Sequence, residues 1–148
     1  MACTITAPTL NACNDLQGGA KQIELAPWAE DFDPVTATWT PIPTLVNSVY
    51  GKETPTVNAD NQTSFFTHEV YFKINGIDNF TGFGNLVRAK VVARITTYTD
   101  ATLVYGEEQG LNYSAGERNT GQNMEDMPGS LMTYSGVSSV EATYTAAP

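Results

Sequence analysis

The chain has 148 residues and a formal net charge of −9, and only 16% of its residues are charged. This length is that of one domain, residues 1–148, which can bury roughly two-thirds of its unfolded surface without a metal or disulfide staple. From Asp100 onward seven acidic residues are opposed by Arg118 alone. Such a surface repels nucleic-acid phosphates, which argues against a DNA- or RNA-binding protein.

The first 20 residues are expected to form an N-terminal arm. Residues 1–5 lack the basic region and apolar run of a secretory signal, and no later stretch approaches the ~20 apolar residues of a membrane span. We therefore expect synthesis and retention in a cytosol. Cys3 and Cys13 are the only cysteines; free thiols are expected, and their pairing stays open.

After a Gly-Gly turn, residues 22–26 are predicted to form the first strand, because Ile23 and Leu25 share one face. Residues 31–63 then predict a long loop with one short strand near residues 45–50. Four prolines interrupt this stretch, and each removes a backbone donor from a sheet ladder. Loops of this length in a compact domain are usually functional or form interfaces.

The clearest pattern lies in residues 64–74, where apolar and polar side chains alternate with the period of a half-buried strand. One face carries Phe66, His68, Val70, Phe72 and Ile74, and the other carries Phe65, Thr67, Glu69, Tyr71 and Lys73. A short helix is predicted within residues 76–89, with Asp78 as its N-cap and Phe80, Phe83 and Val87 on one face.

The remaining elements are predicted to be strands. Residues 90–98 and 102–107 form a hairpin through Asp100 and Ala101, residues 110–129 are rich in turns, and residues 130–135 and 138–145 form a final hairpin that turns at Gly136. The expected fold is therefore mainly β: a sandwich or barrel of about six to eight antiparallel strands with one short flanking helix.

Groups that could perform catalysis are scarce, so we expect no enzyme, no cofactor and no metal site. His68 is the only histidine and lies on an apolar face, where a hydrogen-bonded core residue is the more common role. The acidic pairs Glu107–Glu108 and Glu125–Asp126 point to opposite faces if they lie on strands, and are interpreted as solvated turn charges. Residues 116–121 match no phosphate-binding pattern and predict an exposed turn.

The order of these features resembles the small virion proteins of tailed bacteriophages that infect Bacteroidetes, and in particular the tail-tube fold. The similarity covers nearly the whole chain and is one of pattern. It consists of a strand between Cys13 and Trp28, a loop, the strand at 65–74, a helix that leads directly into residues 90–95, and a Gly-rich segment before a last β-hairpin.

This resemblance implies a structural subunit that assembles with itself into stacked rings, typically hexameric, around a channel through which DNA passes without tight binding. Its location would be the virion, assembled in the host cytoplasm with other virion proteins and no membrane. Candidate channel-lining residues are Thr67, Glu69, Tyr71, Lys73, Arg94, Thr96 and Tyr98. Candidate inter-subunit residues in the predicted loop, which we expect neighbouring subunits to order, are Asp33, Pro34, Trp39, Pro41, Pro43, Tyr50 and Pro55.

Two alternatives stay open. A capsid decoration or head-to-tail connector protein of the same virion would share the small size and β-rich composition. A carbohydrate-binding β-sandwich would need a flat surface that bears Trp28, Trp39 or exposed tyrosines, although two tryptophans beside a proline-containing loop more often act as packing anchors.

Overall fold

A computed structural model describes residues 7, 19–44, 48–75, 83–122, 124 and 129–145 of the chain, apart from the side chains of Asn75 and Phe83. Within these ranges the chain forms nine strands in two open antiparallel sheets, with one short helix. The prediction of a mainly β sandwich with a short flanking helix is confirmed. The strand count is higher than the six to eight expected, and the sheets do not close into a barrel.

The elements in chain order are β1 (Ala20–Pro27), β2 (Thr40–Ile42), β3 (Tyr50–Asn58), β4 (Thr63–Asn75), α1 (Phe83–Arg88), β5 (Val91–Thr97), β6 (Thr102–Tyr105), β7 (Asn112–Asn119), β8 (Gly129–Ser138) and β9 (Thr143–Thr145). The five-stranded sheet has the order β2-β1-β5-β6-β9, and the four-stranded sheet has the order β3-β4-β8-β7. In the part of the chain that the structure describes, no helix is long and apolar enough to cross a membrane.

The core lies between the two sheets, and the alternation along β4 explains it. Val70, Phe72 and Ile74 are fully buried and meet side chains of β1 and β5 from the other sheet. Tyr134 on β8 stacks on Phe72, with ring centroids 6.1 Å apart, and its hydroxyl donates to the Leu86 carbonyl at 2.8 Å. That bond ties α1, which has only six residues, to the sandwich; the predicted N-cap Asp78 and Phe80 lie outside the described residues.

The prediction of a loop over residues 31–63 is wrong in part, because β2 and β3 both lie within it. Strand β3 pairs with β4 over its whole length, from Tyr50 opposite Tyr71 to Asn58 opposite Thr63. Pro55 misled the sequence interpretation, since a proline is tolerated in a strand at the edge of a sheet.

Two predicted turns are strands in the structure. Residues 112–119 form β7, so the exposed turn predicted for residues 116–121 is wrong for residues 116–119. Strand β8 runs through Gly136, where a hairpin turn was predicted. A Cβ atom at Gly136 would lie 2.5 Å from the Gly110 carbonyl oxygen, so glycine permits a close backbone approach there within an extended strand.

The hairpin formed by β3 and β4 extends past the end of the sandwich. Pairing between β4 and β8 ends at Phe66 opposite Ser138, whereas pairing between β3 and β4 continues for several residues beyond this point. Residues 56–65 are all exposed. Residues 56–65 are called the projecting hairpin below.

Candidate assembly surfaces

One outer face of the sandwich is a flat, polar sheet surface. Because the side chains at even positions of β4 are buried, the odd positions and their registered neighbours point away from the core. We call this set the polar face: Tyr50, Lys52 and Thr54 on β3; Thr67, Glu69, Tyr71 and Lys73 on β4; Leu131, Thr133, Ser135 and Val137 on β8; and Asn112, Ala115 and Glu117 on β7.

None of the residues of the polar face is buried. Its charged side chains are Lys52 and Lys73 against Glu69 and Glu117, so the formal charge of the face is balanced. Lys52 lies directly opposite Glu69 across the β3–β4 ladder, a placement in which opposite charges stabilise a sheet. The face is therefore open and largely polar, with Tyr50 and Val137 exposed among its polar side chains, and it has no excess of positive charge.

The other outer face, that of the five-stranded sheet, is covered by the chain itself. Ala26, Val92 and Val104 point away from the core by register, yet they are only 1%, 0% and 6% exposed. We call residues 29–39 the covering segment, because Pro34 and Val35 lie beside β6 and β9 on this side of the sheet. The two outer faces of the sandwich thus differ in kind.

Arg94 and Trp39 hold the covering segment against the sheet. The Arg94 guanidinium donates to both carboxylate oxygens of Glu24, at 3.3 and 2.7 Å, and its carbon lies 4.5 Å from the centroid of the Trp39 ring. The Trp39 indole N–H donates to the Pro34 carbonyl at 3.0 Å, and Phe32 meets the same indole edge to face. The segment is ordered by contacts within its own chain.

The residues predicted to line a channel therefore divide into two groups. Thr67, Glu69, Tyr71 and Lys73 share the polar face, as their spacing predicted. Arg94 and Thr96 lie on the outer face of the other sheet, on the opposite side of the sandwich. Placing them on one wall with the β4 residues was wrong, since the period-two pattern of a strand gives its faces but not the sheet to which it belongs. Tyr98 lies in the turn after β5, beside Gly19.

The candidate inter-subunit residues also fall in separate places. Asp33, Pro34 and Trp39 belong to the covering segment. Pro41 lies in the short edge strand β2, and Pro43 follows it. Tyr50 and Pro55 lie on β3, the edge strand of the four-stranded sheet. The structure therefore does not gather these residues into one surface; the inter-subunit contact itself stays a prediction.

His68 joins the two sheets at the base of the projecting hairpin. It is 2% exposed, and its Nδ1 accepts a hydrogen bond from the Gly106 N–H at 3.2 Å, at the end of β6. Its Nε2 lies 2.8 Å from a carboxylate oxygen of Glu53, the residue opposite it on β3. That oxygen also accepts from the Ala142 N–H, just before β9. One polar pair thus links four strands.

This arrangement fixes the tautomer of His68 and leaves it without a free ring nitrogen. Because Nδ1 accepts from a backbone N–H, the proton of the neutral ring lies on Nε2 and is donated to Glu53. The buried ring has no access to a substrate. Among the residues the structure describes, no three His, Cys, Asp or Glu side chains are grouped so that they could hold a metal ion.

Trp28 and Trp39 are each engaged by the chain. The Trp28 indole donates to the Glu107 carbonyl at 3.1 Å, and Lys90 Nζ lies 4.7 Å from its ring centroid. Both indoles are half-buried and have a cation against one ring face. These contacts favour the interpretation of both tryptophans as packing anchors, and leave the exposed Tyr50 and Tyr144 as the tyrosines open to the carbohydrate alternative.

Glu107 and Glu108 link the turn after β6 to the last part of the chain by hydrogen bonds. The interpretation of these two carboxylates as solvated turn charges did not include these bonds. The Glu108 carboxylate accepts from the Ser139 hydroxyl at 2.7 Å, and from the Ser138 hydroxyl and the Ser139 N–H. These bonds, led by that of the Ser139 hydroxyl, lower the pKa of Glu108. Glu107 accepts from Thr143 on β9 at 2.7 Å. The pair Glu125–Asp126 lies outside the described residues.

The projecting hairpin was missed from the sequence although a local signal exists. Asn58 accepts hydrogen bonds from the N–H groups of Asp60 and Asn61, and Gln62 has a φ of 53°. An Asn-Ala-Asp-Asn run between two Thr-rich segments is a turn signal, because Asn side chains hydrogen-bond the backbone two residues further on. That turn predicts a hairpin at this place.

Searches for family models, curated proteins and solved structures similar to this chain found no match.

Proposed function

We propose that this protein is a structural subunit of a bacteriophage tail tube, which assembles with itself into stacked rings around a channel for DNA. The observation that carries the proposal is the polar face: within the described ranges one side of the sandwich is open, largely polar and balanced in formal charge, while residues 29–39 cover part of the other side. A subunit of a channel wall needs one such face toward the lumen.

The charge of the polar face suits the passage of DNA. Binding to DNA is driven by cationic side chains that neutralise phosphates and release counterions. On the polar face Lys52 and Lys73 are offset by Glu69 and Glu117, so a phosphate backbone that moves past it finds no net attraction. The threonines, serine and asparagine between the charges keep the surface wetted without adding charge.

The edges of the four-stranded sheet support self-assembly. Strands β3 and β7, of nine and eight residues, form its two edges, and an edge strand offers unpaired backbone groups to another chain. Pro55 on β3 and a register shift between Tyr113 and Ala115 on β7 interrupt these edges. Such interruptions disfavour indiscriminate pairing, and leave a defined neighbour as the partner.

Negative-stain microscopy of the purified protein over a range of concentrations tests the proposal. Tubes or stacked rings are expected. A protein that stays monomeric alone but binds a preformed capsid shell would instead support the decoration alternative. Monomers that bind a glycan array through surface aromatic residues would support the carbohydrate alternative. Either result would overturn the tube.

A second experiment tests which face lines the channel. Glu69→Lys changes the charge balance of the polar face by two units per subunit. Because it also places two lysines opposite each other across the β3–β4 ladder, it should lower stability by up to about 1 kcal/mol, and thermal unfolding checks that the variant folds. Retention of DNA in assembled tubes should rise at low salt and fall as salt increases. Glu30→Lys, the same change in the covering segment, is the matched control. Equal effects of both changes would show that the polar face does not line the channel.

A further inference from the structure

The projecting hairpin is the part of the described chain with the least means of holding its own shape. Residues 56–65 lie beyond the end of β8, and within the described ranges they pair with each other as a two-stranded ribbon whose residues are all exposed. A two-stranded hairpin alone in water is at best marginally stable. A regular hairpin at this place therefore gains from a partner.

The side chains of the projecting hairpin indicate the chemistry of that partner. Val57 is 72% exposed and Phe65 is 39% exposed, on opposite faces of the ribbon. Asp60 is the only charged residue among residues 56–65. Without a lysine or arginine the hairpin cannot attract nucleic acid or an anionic membrane. The exposed Val57 side chain at this tip therefore suits a small, uncharged apolar pocket on a protein.

The chain itself carries such a pocket. An apolar groove of about 210 Å³ runs between the end of β1, strand β2 and α1, and is lined by Leu25, Ala26, Pro27, Thr40, Ile42, Leu86, Ala89 and Val91. No residue of the projecting hairpin lines it, and it contains no charged side chain. A chain with a net charge of −9 repels its own copies. Contact is least opposed where both surfaces lack charge, as the hairpin does apart from Asp60 and as the groove does.

We infer that the projecting hairpin of one subunit docks into the apolar groove of a second copy of this chain, with Val57, its most exposed apolar side chain, as the buried anchor. Because the hairpin and the groove are different surfaces, this contact is head-to-tail, and repeated head-to-tail contacts generate rings or open filaments and not closed dimers. The inference deepens the proposed function, and rests on it for the form of the assembly.

The test compares the assembly of four variants with that of the wild-type chain by sedimentation and negative-stain microscopy. One variant replaces residues 57–64 by Asn-Gly, which closes a two-residue hairpin turn beyond the pair Thr56–Phe65. The second is Val57→Asp, and its matched control is Val35→Asp at another exposed valine, on the covering segment. The fourth, Thr40→Arg, adds a long charged side chain at an exposed position of the groove. Unchanged thermal unfolding checks that each variant folds.

The inference expects that shortening the hairpin, Val57→Asp and Thr40→Arg each raise the protein concentration needed for assembly about tenfold or more, equivalent to about 1.4 kcal/mol of contact energy. Val35→Asp should leave it unchanged. Tubes that form equally well with the shortened hairpin would overturn the inference and keep the tube. Small closed oligomers that dissolve on shortening would overturn the tube and keep the hairpin contact. A wild-type chain that stays monomeric would overturn both.

Discussion

Replacement of His68 by residues that keep one or neither of its hydrogen bonds should separate the contributions of those two bonds to the free energy of unfolding. His68→Leu removes both bonds at similar volume and leaves the Gly106 N–H without its acceptor. A neutral hydrogen bond contributes about 1 kcal/mol, and a bond to a charged carboxylate about 1.5–3 kcal/mol. Because Glu53 is partly exposed, the lower part of that range applies, and the total loss should be about 3 kcal/mol.

The two amide variants divide this loss. The Oδ1 atom of asparagine falls near the position of Nδ1, so His68→Asn keeps an acceptor for Gly106 and should cost about 2 kcal/mol. Glutamine reaches toward Glu53 but offers nothing to Gly106, so His68→Gln should cost about 1 kcal/mol. Urea denaturation gives the free energies, and the leucine variant should lower Tm by about 6–12 °C in a chain of this size.

Two results would contradict these assignments. One is a free energy of unfolding of His68→Leu that lies within about 0.5 kcal/mol of the wild-type value. The other is an equal loss of free energy of unfolding in the asparagine and leucine variants. A double-mutant cycle with Glu53→Gln checks the larger of the two contributions, since residues in direct contact should show a coupling energy and residues that act independently should not.

Three further predictions concern buried or bonded polar groups. Ser130 is fully buried and its hydroxyl has no partner among the described residues, so Ser130→Ala should raise the free energy of unfolding in urea by about 1 kcal/mol; a decrease would mean that the hydroxyl is bonded. Burial raises the pKa of Tyr105 and Tyr134 above the usual 10.0, so their contribution to stability is complete below pH 10 and is lost as pH rises above it. Alkaline unfolding that Tyr134→Phe leaves unchanged would contradict this. The bonds from Ser139 and its neighbours lower the pKa of Glu108 from 4.5, so that carboxylate stabilises the fold above pH 4.5 and stabilises it less as pH falls below that value. Ser139→Ala should therefore reduce the fall in Tm with decreasing pH. A pH dependence of Tm that is the same in the variant and the wild-type chain would refute the assignment.

The sequence predicted most accurately those features that depend on neighbours along the chain. The alternation on β4 is local, and it gave both the strand and its buried face correctly, including His68 as a hydrogen-bonded core residue. Strands β1, β5 and β6 were likewise found within a few residues of their observed ends.

Features that depend on partners distant in sequence were not predictable in the same way. Whether Arg94 shares a wall with Glu69 depends on which strands pair, and β5 pairs with β1 and β6 while β4 pairs with β3 and β8. Pro55 and Gly136 looked like breaks in structure, yet an edge position tolerates the first and a close approach to Gly110 requires the second. The covering segment was likewise unforeseen, because its order comes from a cation–π contact with a residue 55 positions away.

The pairing of β4 with β8 has a consequence for the newly made chain. Residues 66–75 find their partners only at residues 129–138, and β9, which completes the other sheet, follows still later. Until that last part has left the ribosome, β3 and β4 form a hairpin whose apolar side, with Val70, Phe72 and Ile74, faces water. Contacts of such long sequence separation form slowly, and until they form they leave apolar, unpaired strands exposed to aggregation. Where many copies are synthesised at once they would meet in that state, so chaperones are expected to bind this chain during synthesis.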